Sequence, residues 1–214
     1  MKIELARVAP ADIEARSMEI IRSELKAPLD PEHEAVILRA IHTTADFDYA
    51  ETLTFSPGAV QKGVEALLHG ASVVTDTTMA LSGINKRVLH KLGGEAYNFI
   101  ADPDVAQAAK ERGVTRATVS MERAAAMNKH LIYAIGNAPT ALVRLYELWQ
   151  EGTLPAPALI VGVPVGFVNV VEAKELICTM DCPYIVARGR KGGSNLAAAI
   201  VNALLYTASK NERE

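Results

Sequence analysis

Two periods of apolar and polar positions alternate along the chain. Apolar residues at helical spacing predict helices at 12–26, 32–44, 57–69, 103–112, 116–129, 138–151, 170–180 and 194–208, with a short helix within 76–84. Short apolar runs between them predict strands at 52–55, 71–75, 96–100, 131–135, 158–161 and 184–187. Because strands and helices alternate, right-handed crossovers pair the strands in parallel. The pattern therefore predicts an α/β fold with helices on both faces of a parallel sheet.

The first predicted helix has an apolar stripe that contains one hydroxyl. Ile13, Ile20, Ile21 and Leu25 form the stripe, and Ser17 lies within it. A serine in a helix commonly bonds the carbonyl four residues earlier. The alternative is a hydroxyl that reaches into a ligand pocket.

Two later helices carry further signals. The helix 194–208 is apolar nearly all round, which places it either inside the fold or against a second subunit. Asn169 stands at the start of the helix 170–180, and Glu172 follows three residues later. This spacing predicts a capping box and needs no ligand.

Composition narrows the class of protein. The chain has 214 residues, of which 50% are hydrophobic and 22% charged, and this excludes a disordered protein. A chain of this length can bury a full core in one domain. Its net charge of −3 argues against a dedicated nucleic-acid binder, which is usually basic. An anionic ligand therefore needs a local cluster of cations.

Cysteine spacing and the apolar runs indicate the compartment. Cys178 and Cys182 have the spacing C-x-x-x-C, which is typical of neither redox nor zinc sites, so we expect reduced thiols. The first 17 residues lack the apolar run of a signal peptide. The apolar runs are shorter than the roughly 20 residues of a membrane helix. We therefore expect a soluble, cytoplasmic protein without a membrane partner.

The loops that follow the predicted strands have the composition of a binding site. In an open α/β sheet, ligands bind outside the carboxyl ends of the strands. The four loops in question are at 75–87, 135–142, 161–175 and 187–204. Each places Gly, Asn, Thr or Asp where backbone N–H groups would face a ligand. The alternative is that glycines serve tight turns and polar residues cap helices.

The last of these loops is strongly basic. Arg188, Arg190 and Lys191 precede Gly192-Gly193-Ser194, which opens a helix. Backbone donors, the helix dipole and the cations together favour an anion, either a carboxylate or a phosphate. No Lys-Ser/Thr follows the glycines, so the segment is not a Walker A loop. The alternative is a solvated basic turn.

His42 differs from the other histidines by its place beside an apolar stripe. It follows Ile41 and precedes Thr43 in a segment that is both polar and aromatic. A histidine at such a rim suits proton transfer near neutral pH. The alternative is a buried histidine bonded to a backbone carbonyl. The five histidines show neither H-x-x-x-H nor H-E-x-x-H, so we expect no zinc site.

Five motifs together carry a family resemblance. They are IHTTADFDY, TDTTMALSGINKR, GNAPTAL, GVPVGFVNVVEAKE and GRKGGSNLAAAIVNALLY. In this order, over residues 10–208, they resemble the precorrin-8X methylmutases of cobalamin biosynthesis. The resemblance implies a flavodoxin-like three-layer sandwich with a mainly parallel sheet, a homodimer and no cofactor. It also implies one domain over 1–214, with N-terminal helices at 10–45 and an α/β core at about 52–208.

The same resemblance implies a reaction and its residues. The family moves a methyl group from C11 to C12 of a corrinoid ring, and the first two motifs look like the cobalt-precorrin-8 branch. The family's catalytic histidine falls on His42, which would act as a general acid, and a substrate-contacting serine falls on Ser17. Carboxylate arms of the substrate suit arginines, which bind them in a bidentate manner.

The candidate substrate contacts form one set along the chain. They are Ser17, His42, Thr43, Thr77, Arg116, Asn137, Arg188, Arg190, Lys191, Gly192, Gly193 and Ser194. We expect the basic segment to lie at the carboxyl edge of the sheet and to face the same cavity as His42. Two other functions remain as alternatives: a non-catalytic module that binds a corrinoid or another polyanion, and an enzyme that binds a nucleotide through residues 189–195.

Overall fold

Helices and strands alternate along the computed structural model, which describes residue 9 and residues 12–210. The helices are α1 (Ile13–Glu24), α2 (Glu34–Thr44), α3 (Tyr49–Thr52), α4 (Ala59–Leu68), α5 (Thr78–Gly83), α6 (Lys86–Lys91), α7 (Pro103–Arg112), α8 (Arg116–Ala126), α9 (Pro139–Gln150), α10 (Val170–Cys178) and α11 (Ser194–Ala208). The strands are β1 (Leu53–Phe55), β2 (Ser72–Thr75), β3 (Ala96–Tyr97), β4 (Leu131–Ile135), β5 (Leu159–Gly162) and β6 (Tyr184–Ala187). The predicted bounds of α7, α11, β4 and β6 agree with the structure to the residue.

The six strands form one mixed sheet in the order β1-β6-β5-β4-β2-β3. Strands β2 to β6 pair in parallel, and their order is that of the flavodoxin-like fold. This confirms the predicted α/β sandwich. The chain reverses its direction of winding between β2 and β4, which makes this gap the switch point of the sheet.

Strand β1 is antiparallel, and the prediction of a parallel strand was wrong there. Leu53 pairs with Ala187 and Phe55 with Ile185, at the edge of the sheet beside β6. The reason is the entry of the chain: the Arg188 N–H donates to the Thr52 carbonyl (2.9 Å), so β1 starts at the carboxyl edge of β6 and runs back.

Helices cover both faces of the sheet. On one face α11 packs against α2, α4 and α5; on the other α9 packs against α8 and α10. Leu196, Ile200 and Leu204 of α11 are fully buried. Helices of the same chain thus bury the apolar surface of α11. Of the two predicted placements, the structure shows the one inside the fold. Within residues 12–210, no helix combines the length and apolar character that crossing a membrane requires.

Two further predictions differ from the structure, and two short helices were not predicted. Ile13 (54% exposed) and Ile20 face solvent, because α1 packs mainly on α2 and buries only Ile21. The capping box is absent: Asn169 has a left-handed backbone (φ 56°), and its side chain makes no cap hydrogen bond. Helices α3 and α6, of four and six residues, were not predicted.

Candidate functional site

The loops after β2 and β4 meet at a buried carboxylate. Asp76 directly follows β2 and is 1% exposed. Its Oδ1 accepts the Gly136 N–H (2.9 Å), and its Oδ2 accepts the N–H groups of Asn137 (2.8 Å) and Ala138 (2.6 Å). Burial raises the pKa of Asp76, and these donors oppose the rise. Asp76 was missed in the sequence, although an acidic residue directly after a buried strand at the switch point was a usable signal.

Thr77 joins the loop after β2 to the start of α11. Its Oγ1 accepts the Ala80 N–H (3.0 Å), which caps α5, and lies 2.7 Å from Oγ of Ser194. Ser194 is buried. The two hydroxyls therefore fix the relative positions of two strand-to-helix loops at the carboxyl edge.

Two glycines allow these loops to touch backbone to backbone. A Cβ on Gly136 would lie 2.6 Å from the Cα of Ser194, and a Cβ on Gly192 would collide with the Val163 carbonyl. The Gly193 N–H donates to the same carbonyl (2.9 Å). Gly192 and Gly193 thus pack the loops together. The N-cap residue of α11 is Gly193, which has no side chain to cap the helix, so the N–H groups of its first turn face the carboxyl edge.

A buried lysine supports the basic loop, which we define as residues 188–193. The Nζ of Lys174 on α10 donates to the carbonyls of Gly189 (2.7 Å) and Lys191 (2.8 Å). Lys174 is 0% exposed, and burial lowers its pKa to about 8. It holds the loop backbone from beneath. The sequence signal was a lysine directly after Ala173 on the buried side of α10.

The three cations of the basic loop have different partners. The Nζ of Lys191 contacts Oδ2 of Asp46 (2.6 Å) and of Asp48 (2.7 Å). These carboxylates raise the pKa of Lys191, and Lys191 lowers the pKa of Asp46. Arg188 lies 3.7 Å from Glu175. Lys191 is therefore a clamp to the segment between α2 and α3, whereas Arg188 is only loosely paired.

His42 lies at the same edge of the sheet as the basic loop. Helix α2 starts at the amino edge, where His33 stacks on Phe55 (3.9 Å), and runs to the carboxyl edge, where Asp46 meets Lys191. His42 is in the last turn of α2, and both His42 and Thr43 are exposed. Because His42 is exposed, the alternative of a buried histidine bonded to a carbonyl is excluded. The basic loop and His42 lie at the carboxyl edge of the sheet, as expected.

Three other candidates are Ser17 within α1, Arg116 at the start of α8 and Asn137 directly before α9. The Ser17 hydroxyl donates to the Ile13 carbonyl (2.8 Å). This is the bond to the carbonyl four residues earlier that is common for a serine in a helix. Arg116 is exposed at the start of α8, and the contact between Thr115 and Thr140 (2.8 Å) puts that helix start beside the start of α9. Asn137 is exposed there.

Exposed apolar side chains lie beside these cations. Phe167 (81% exposed) and Val168 (77%) are on the loop between β5 and α10. The guanidinium of Arg190 lies 5.5 Å from the centre of the Phe167 ring. An apolar surface next to arginines and a helix N-terminus fits a ligand with apolar faces and an acidic periphery. Residues 12–210 contain no group of three or more His, Cys, Asp or Glu side chains placed to hold a metal ion.

The chain is similar to known proteins over nearly its whole length. A family model described as precorrin-8X methylmutase matches residues 12–207. A cobalt-precorrin-8 methylmutase of Salmonella typhimurium is 48% identical, covering 92% of this chain and 95% of the relative. A precorrin-8X methylmutase of Pseudomonas aeruginosa is 39% identical, covering 88% and 91%. The crystal structure of precorrin-8X methylmutase from Thermus thermophilus superimposes with a TM-score of 0.85 at 38% identity, covering 94% and 98%.

Proposed function

Because the chain belongs to the precorrin-8X methylmutase family, we propose that it is an isomerase that moves a methyl group from C11 to C12 of a corrinoid ring. The reaction converts cobalt-precorrin-8 to cobyrinate, or precorrin-8X to hydrogenobyrinate. The observation that carries the proposal is the exposed His42 at the same sheet edge as the basic loop, connected to it through Asp46 and Lys191. A 1,5-sigmatropic shift rearranges bonds within one molecule, so it needs no co-reactant.

His42 is the general acid in this proposal. Its imidazole is exposed at the carboxyl edge, so a ring nitrogen of a bound macrocycle can come within hydrogen-bond distance. Protonation or hydrogen bonding at that nitrogen withdraws electrons from the receiving carbon. Such a step contributes about 10²–10⁴ in rate. The rest comes from holding the ring in its reactive geometry.

The surroundings of His42 suit the rest of the substrate. The acetate and propionate arms suit Arg190, Arg188, Arg116 and the uncapped start of α11. The apolar faces of the ring suit Phe167 and its neighbour on the same loop. Lys191 contributes by fixing the basic loop, because two carboxylates already hold its ammonium.

Several finer points belong to the same proposal. The first two motifs and the greater identity to the Salmonella relative favour the cobalt-containing substrate. We also propose one domain, a homodimer, a cytoplasmic location and a reaction without a cofactor. Since α11 is buried by its own chain, the dimer needs another surface, and the exposed Ile13 and Ile20 of α1 offer one.

The test is turnover by His42→Ala, with cobalt-loaded and metal-free substrate side by side. Isomerisation changes the visible spectrum of the corrinoid, so it is followed directly. We expect the variant to fold, to bind the product and to lose about 10²-fold or more in kcat. His90→Ala, another exposed histidine, is the matched control and keeps wild-type turnover. Normal turnover by His42→Ala removes His42 from the mechanism. Tight binding without isomerisation by the wild type supports the non-catalytic module instead.

A further inference from the structure

The switch point of this fold contains a ready-made anion site. Doubly wound sheets bind ligands where the strand order reverses, and the N–H groups at the start of a helix attract anions. Here the site lies between β2 and β4, at the start of α9. The N–H groups of Gly136, Asn137 and Ala138 point toward one carboxylate, with N···O distances of 2.6–2.9 Å.

The chain occupies that site with its own carboxylate. Both Asp76 oxygens accept from these donors, and the side chain is 1% exposed. Within residues 12–210 no cation forms an ion pair with Asp76, so backbone dipoles balance its charge. A phosphate or a substrate carboxylate therefore cannot bind these three donors while Asp76 occupies them. The starts of α10 and α11, whose N-cap residues make no side-chain cap hydrogen bond, remain available to a ligand.

Asp76 is also bonded into the frame of the site on both sides. It fixes the backbone of Asn137, whose side chain is exposed at the carboxyl edge. Its neighbour Thr77 contacts Ser194 at the first turn of α11. A shift of Asp76 therefore moves the loop after β4 and the start of α11 together. The end of the basic loop moves with the start of α11.

We propose that Asp76 is a positioning residue for the methyl shift: its carboxylate fills the switch-point anion site and thereby fixes the loop after β4 and the start of α11. The proposal rests on the proposed function. It assigns to Asp76 no contact with the substrate and no proton transfer. A small carboxylate supplied from solution is therefore able to replace it.

The experiment compares Asp76→Ala, with and without sodium formate, with Asp76→Asn. Alanine leaves a carboxylate-sized gap lined by N–H donors, so formate enters it. We expect Asp76→Ala to lose about 100-fold in kcat with a smaller change in KM, and formate to restore at least about tenfold of it. Asparagine fills the gap and turns an NH₂ group toward an N–H donor, so formate does not rescue Asp76→Asn. Asp181→Asn, exposed at the opposite edge, is the matched control and keeps wild-type kcat.

A second readout does not depend on catalysis. Formate is expected to raise the melting temperature of Asp76→Ala but not of the wild type, because only the variant has an open anion site. This measurement separates failure of the present proposal from failure of the proposed function. A folded Asp76→Ala that formate neither stabilises nor reactivates overturns the proposal. If Asp76→Ala does not fold, wild-type kcat in Asp76→Asn overturns it, and a reduced kcat with unchanged product affinity supports it.

Discussion

The buried Lys174 makes the stability of the protein depend on pH in a defined direction. Burial lowers its pKa from the ordinary 10.5 to about 8. Between these two values the unfolded chain binds a proton at Lys174 that the native chain has released. The free energy of unfolding therefore rises with pH in this window. The full difference between the two pKa values corresponds to about 3 kcal/mol.

The measurable part of this effect lies between pH 7 and pH 9. Over that range the linkage relation gives a gain of about 1 kcal/mol for the wild type relative to a chain without the lysine. Lys174→Met removes the titrating group and retains much of the volume. Other groups that titrate in this range cancel in the comparison, because both chains contain them.

The assay is urea unfolding followed by far-ultraviolet circular dichroism at pH 7, 8 and 9. The wild type is compared with Lys174→Met and with Lys62→Met, which replaces an exposed lysine of α4. We expect the stability difference between wild type and Lys174→Met to grow in favour of the wild type as pH rises. The difference from Lys62→Met stays constant. Parallel pH profiles for wild type and Lys174→Met refute the reasoning, since Lys174 then titrates in the same way in both states.

Three other outcomes follow from the site and the packing. Arg190→Ala lowers product affinity by about tenfold and weakens the dependence of that affinity on salt, as measured by titration at two ionic strengths. If the variant binds the product as tightly as the wild type at both ionic strengths, the arginine holds no substrate carboxylate. Gly136→Ala lowers the free energy of unfolding by about 1–3 kcal/mol because its Cβ meets the backbone of Ser194, whereas Gly113→Ala strains only a left-handed turn in open space and costs less. Sedimentation at micromolar concentration gives about twice the chain mass of 22.9 kDa; a single-chain mass contradicts the homodimer.

The elements and the edge of the site were predictable because their signals are local. Long periodic segments such as α11 and apolar runs such as β4 give unambiguous patterns. The position of ligand loops at the carboxyl edge follows from strand direction alone. This was sufficient to place the basic loop at that edge, whereas His42 precedes β1 and was assigned to the site by its position beside Ile41 and by the family resemblance.

The contacts that hold the site together were not predictable from local pattern. Lys191 meets Asp46 across 145 positions of sequence, and Asp76 meets Gly136 across 60. Neither distance leaves a periodic trace, so a basic turn looks open in the sequence although one of its cations is already paired. The prediction for Ile13 was wrong for a related reason: spacing gives the apolar face of a helix but does not show whether a neighbouring element covers that face.

The N-terminal segment has its main partners at the other end of the chain, and this affects the protein while it is being made. Strand β1 pairs with β6, and α2 packs on α11. Roughly 150 residues lie between these partners in the sequence. At ribosomal speeds of about 5–20 residues per second, the second partner is therefore made on the order of ten seconds after the first. During that interval Val36, Ile37 and Ile41 are translated but uncovered. The nascent chain thus presents an apolar face of α2, which a chaperone can bind, until α11 is made.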